Sequence, residues 1–231
     1  MIKQLAGLAL AILAAGCSSS TSPDISIPAG GRELLGGREL RPARAGINVG
    51  SLYFAREVAT DDSSKPVNLE ELCEVTLANY GVTPADAVQV DIDLSSQLDG
   101  TAALSGIKNI FVDLGLSGNI SDYYEYKLTN VVNRSISYQD AQNIFKGRAF
   151  KGKCPDWRAN ISRQKWARYQ VLAIKTGDII FQRKSDIGAS ADIKAKIAVA
   201  EPQLKAALSR KYNMAMSGRG VVVAVNQIIR E

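Results

Sequence analysis

The sequence predicts an α+β fold: a single domain with a largely antiparallel sheet and three to four helices. Three observations lead there. Val88, Val90, Ile92 and Leu94 alternate with Gln89, Asp91 and Asp93, and Tyr124, Tyr126 and Leu128 alternate with Glu125 and Lys127. A two-residue period of this kind marks a strand with one buried face. Ile193, Ile197, Ala200, Leu204, Leu208 and Tyr212 recur instead at helical spacing, as on a helix packed against a sheet. The two periods mix without a regular strand–helix–strand beat, which disfavours a parallel sheet.

Taken in order, the elements are as follows. Ile47 to Arg56 reads as a strand, closed by the polar loop Thr60 to Pro66. Asn68 stands three residues before Glu71, a capping-box spacing. Leu69, Leu72, Cys73, Thr76 and Tyr80 then share a helical face before Gly81, so a helix of about three turns is expected there. The Val88–Leu94 strand follows, then glycine-punctuated chain with a helical turn around Ile110 to Leu116, then the Tyr124–Leu128 strand. Ser137 can cap a helix from Tyr138 to about Phe145. Tyr169–Ile174 and Asp178–Lys184 read as a hairpin turning at Lys175-Thr176-Gly177. Ser190 to Tyr212 is helical, with Pro202 expected to kink or divide it. Val221 to Ile229 closes the chain as a strand.

Composition narrows the chemistry. A hydrophobic share of 46% with 22% charged residues is that of a folded domain rather than a disordered chain. Histidine is absent, which removes the commonest general base, proton shuttle and metal ligand together. No nucleophile elbow, phosphate-cradling glycine loop, dinucleotide fingerprint or zinc spacing is present. A non-enzymatic protein without cofactor or metal is the expectation. Asp91, Asp93 and Asp99 read as a solvated sheet face before they read as a calcium site.

The N-terminus is the most specific signal. Lys3 is followed by the apolar run Leu5 to Ala15, which closes on Ala14-Ala15-Gly16 before Cys17. That is the layout of a cleaved secretory signal, too short to span a bilayer. Leu13-Ala14-Ala15-Gly16-Cys17 resembles the lipobox of bacterial lipoproteins, with Ala14 where that class usually has leucine. The resemblance covers residues 1–20 and implies cleavage after Gly16 and lipidation of Cys17. Ser18 after the cysteine, rather than aspartate, implies sorting to the outer membrane, lipid-anchored on its periplasmic face, with surface display as the alternative address.

On that reading the chain divides into a signal peptide (1–16), a lipidated tether (17–45) and a periplasmic domain (46–231). The tether is serine-rich at its start and would have a reach of roughly 30 Å. It carries the pentad Gly-Gly-Arg-Glu-Leu twice, at Gly30–Leu34 and Gly36–Leu40. The duplication reads either as slippage in a permissive linker or as a docking motif anchored by Leu34, Leu35 and Leu40. With Cys17 lipidated, Cys73 and Cys154 remain as an even pair, most simply a disulfide in an oxidising compartment. The alternatives are two buried thiols or one reactive thiol.

The expected partners are the membrane, through the lipid, and an envelope protein; an exported chain is a poor partner for nucleic acid. Net charge is +5, compatible with anionic surfaces without requiring them. The cations gather in Lys146 to Arg168, where Lys151, Lys153, Arg158, Arg163 and Lys165 flank Trp157, with Trp166 nearby. Such a segment suits anionic lipid or glycan; the plainer reading is core tryptophan with solvated cations. The function expected is therefore a tethered binding or assembly subunit, with a ligand-binding lipoprotein that uses residues 146–168 as the alternative.

Overall fold

The computed structural model describes residues 34–56, 66–103, 108–147, 150, 154 and 166–230. They form one antiparallel sheet of eight strands with helices packed on it, a mixed α+β body in which the sheet dominates.

The strands are β1 (Arg38–Arg44), β2 (Leu52–Arg56), β3 (Glu70–Cys73), β4 (Ala85–Val88), β5 (Ile92–Asp93), β6 (Tyr124–Ser135), β7 (Trp166–Arg183) and β8 (Ser217–Ile229). The helices are α1 (Ser95–Ala103), α2 (Lys108–Asp113), α3 (Ile120–Tyr123), α4 (Tyr138–Lys146) and α5 (Ala191–Tyr212). The spine is β7, whose 18 residues span about 60 Å of extended chain. One edge of β7 pairs with β8; the other pairs with β2 through residues 166–170 and with β6 through residues 173–183. β4 and β5 then pair with β6. The path β1-β8-β7-β2-β3 curls toward closure, because Arg41 N–H donates to the Val67 carbonyl (2.9 Å) and Val67 N–H to the Glu39 carbonyl (2.8 Å).

The core has two parts. Tyr124, Leu128, Ile179 and Phe181 pack with Leu98, Leu204 and Leu208 beneath α5. Leu52, Tyr53, Val171 and Ile174 pack with Ile144 of α4 and with Phe150. α5 buries Ile197, Ala200, Leu204, Leu208 and Tyr212, the stripe its spacing predicts, and is one helix through Pro202. Ser190 caps it by accepting the Ile193 N–H, and Ser137 caps α4 by accepting the Asp140 N–H.

Four expectations are corrected. The hairpin at Lys175-Thr176-Gly177 is continuous strand: a Cβ on Gly177 would lie 2.7 Å from Leu128 Cδ1, so glycine serves close packing there rather than a turn. β6 and β7 shift register beside it, and Asp178 pins the shift by accepting from Asn130 Nδ2 (2.8 Å) and Gly220 N–H (2.7 Å). The three-turn helix at 68–80 is instead β3 followed by a single turn of 3₁₀ helix, Leu77–Tyr80, that Gly81 closes in the left-handed region. Pairing of 70–73 with β2 prevails over the local helical spacing.

The alternating run at 88–94 is split between β4 and β5, and Val88 and Val90 are both 85% exposed. The two-residue period was real, but among the described residues nothing covers Val88 or Val90. Finally, residues 38–44, expected in the tether, are strand β1 paired with β8. Leu35 and Leu40 are buried in the protein's own core, while Leu34 is exposed, so the first two are internal anchors rather than docking residues.

Candidate functional site

The C-terminal end of β7 leaves the sheet with Phe181 buried against Tyr124, their rings stacked at 5.4 Å. Gln182 and Arg183 follow, then the turn that leads to the Ser190 cap of α5. The first turns of that helix face back, and a cleft of about 460 Å3 opens between them. It is lined by Gln182, Arg183, Lys184, Ser185, Ile187, Lys194, Ile197 and Glu201.

The cleft is rich in positive charge. Glu201 is held by Arg183 Nε (2.9 Å) and Lys205 Nζ (2.8 Å), and Lys205 also lies over the Phe181 ring. Lys184 and Lys194 make no side-chain hydrogen bond or ion pair among the described residues; Asp93 acts on Lys184 at longer range. Arg183, Lys184 and Lys194 thus line the cleft with one carboxylate, Glu201, which Arg183 and Lys205 bond. The floor is fixed: Ile197 is fully buried, and its carbonyl accepts from the Tyr124 hydroxyl at 2.6 Å. Burial, reinforced by Glu201, holds the Tyr124 phenol far above its ordinary range. Lys184 N–H donates to the Tyr123 carbonyl (2.9 Å), which sets the turn on its side. Gln182 is tied to Glu125, whose carboxyl is held below the usual range by Lys127 and Gln182. Chemically, the cleft offers ammonium and guanidinium donors over a partly apolar floor, an arrangement for holding an anion.

Two other polar groups are structural. Arg230 is buried, donates to Gln170 Oε1 from Nε (2.9 Å) and lies over the Phe145 ring, while Gln170 Nε2 donates to the Gly50 carbonyl (3.0 Å). Arg41 is bonded to Glu39 (2.7 Å) and reaches the Tyr212 carbonyl at the end of α5 (3.4 Å).

Of the residues singled out by sequence, Cys73 and Cys154 lie at disulfide distance, with Cα atoms 6.1 Å apart, in the core around Leu52. Cys17, Lys151, Lys153, Trp157, Arg158, Arg163 and Lys165 lie outside the described residues. Among the described residues there is no group of three metal-ligating side chains, and no helix long and apolar enough to cross a membrane. Sequence reasoning missed the cleft. Its signal was faint: the dibasic pair Arg183-Lys184 at a strand exit and Lys194 one turn into the next helix.

No protein-family model matches the chain, and no curated protein matches it. Among solved structures, a bacterial gasdermin from Bradyrhizobium tropiciagri aligns over 86% of this chain and 80% of its own, at 12% identity and a TM-score of 0.33. A likeness at that level assigns neither family nor function.

Proposed function

We propose that the chain is a lipid-anchored subunit of a bacterial envelope that binds rather than catalyses, and that its partner offers anionic groups to the 182–201 cleft. The observation that carries the binding half is the pair Lys184 and Lys194, which have no bonded acid among the described residues and line the cleft with Arg183, while Arg183 and Lys205 share Glu201. The address rests on the N-terminal sequence, where an apolar run ends at the Leu13–Cys17 lipobox. An outer-membrane location facing the periplasm follows from Ser18 by the same resemblance.

The binding half is tested with full-length protein passed over immobilised poly-L-glutamate at low and high salt. Salt-sensitive retention that falls about tenfold in Lys184→Gln/Lys194→Gln is expected. Retention unchanged by that substitution contradicts the reading.

A further inference from the structure

We infer that the ligand of this cleft is a phosphoryl group carried on a small organic body. The inference rests on the anion-binding reading above and names its chemical class.

Three features select it. The first is charge. Glu201 occupies one acidic position between Arg183 and Lys205, leaving Lys184 and Lys194 without a bonded acid among the described residues. A single carboxylate would answer one of the two lysines. A phosphate monoester carries about −1.5 to −2 at neutral pH and answers both.

The second is the donor set. A phosphoryl group presents three strong acceptor oxygens. The lining supplies lysine ammonium groups, a guanidinium held in place at Nε by Glu201 and the Ser185 hydroxyl, while the Gln182 amide is already given to Glu125. Of the polar lining side chains, Glu201 alone is purely an acceptor.

The third is the space. A cleft of about 460 Å3 falls within the range of small-molecule sites, about 300–1,000 Å3, and is larger than a bare phosphate needs. Ile187, part-exposed above the buried Ile197, gives the remainder an apolar wall, against which the esterified body packs. The phosphoryl group of a soluble ester and that of a phospholipid head group share this chemistry.

Calorimetric titration of the full-length chain carrying Cys17→Ser separates the outcomes. The probes are glycerol 3-phosphate, succinate as a dicarboxylate of similar charge, and phosphatidylcholine vesicles with or without phosphatidic acid. Saturable glycerol 3-phosphate binding is expected, tighter than succinate and weakened about tenfold or more by Lys184→Gln/Lys194→Gln. The control pair Arg210→Gln/Arg219→Gln removes the same charge from exposed positions outside the cleft and should change affinity less than about twofold. Vesicle binding that needs phosphatidic acid, and that glycerol 3-phosphate displaces, assigns the head-group source; glycerol 3-phosphate binding alone assigns a soluble ester. Equal affinity for succinate overturns phosphoryl selectivity while leaving the poly-L-glutamate result standing. Absence of glycerol 3-phosphate binding, or equal loss in the control pair, overturns the inference.

Discussion

The Tyr124 hydroxyl donates to the Ile197 carbonyl at 2.6 Å, joining strand β6 to the helix that walls the cleft. The bond is buried, and the ring below it stacks on Phe181. Tyr124→Phe keeps the ring and removes the donor. It should lower unfolding free energy by about 1 kcal/mol, read by urea denaturation, without disturbing the fold. A loss near zero would mean that the hydroxyl does not brace the cleft floor.

The Cys73–Cys154 pair ties β3 to residue 154 across 81 positions of sequence. Cys73→Ser/Cys154→Ser should cost about 2–5 kcal/mol, and reductant should lower the stability of the wild type while leaving the variant unchanged. Thiol titration of the unfolded, unreduced wild-type protein checks the linkage separately. Labelling of both cysteines without reductant would contradict it.

The exposed valines of β4 and its following loop divide periodicity from burial. Val88→Ser and Val90→Ser should each fall within about 0.5 kcal/mol of wild type, whereas Leu204→Ala on α5 should cost about 2–5 kcal/mol. Denaturation midpoints of the three variants decide it. A large loss at Val88 or Val90 would show a covered face there.

That contrast also marks what could be read from the chain. The α5 stripe and the Ser137 cap of α4 were legible because a helix closes its own hydrogen bonds and needs only one covered face. Tyr124, Tyr126 and Leu128 were legible for the same reason on a strand. Strand 38–44 was not, because its partner β8 lies far along the chain. Gly177 misled because close packing and turning both call for glycine, and only the position of Leu128 distinguishes them. The cleft was illegible because Lys184 and Lys194 look like ordinary solvated lysines until the turn between β7 and α5 sets them on one cavity.

Lys175 gives a pH dependence of definite sign. It is buried in the middle of β7 and lies beneath the Gly36 turn, its Nζ 3.4 Å from where a Cβ on Gly36 would sit. Burial holds its ammonium below the ordinary lysine range. Between that depressed value and the ordinary one, the unfolded chain binds more protons than the folded chain, so this residue makes stability rise with pH across that window. Lys175→Met should raise stability at neutral pH and remove that contribution to the rise, as read from denaturation midpoints followed from neutral pH up to the ordinary lysine range. A variant less stable than wild type at neutral pH, with the slope retained, would contradict this.

We propose that Cys17 holds the chain at a membrane, which raises the concentration of the cleft near an envelope partner. Metabolic labelling with a radioactive fatty acid tests it most directly, comparing the wild type with Cys17→Ser in the native host. Label on the wild-type protein, in the membrane fraction and absent from Cys17→Ser, is the predicted result. An unlabelled wild-type protein, indistinguishable from Cys17→Ser, would contradict the account.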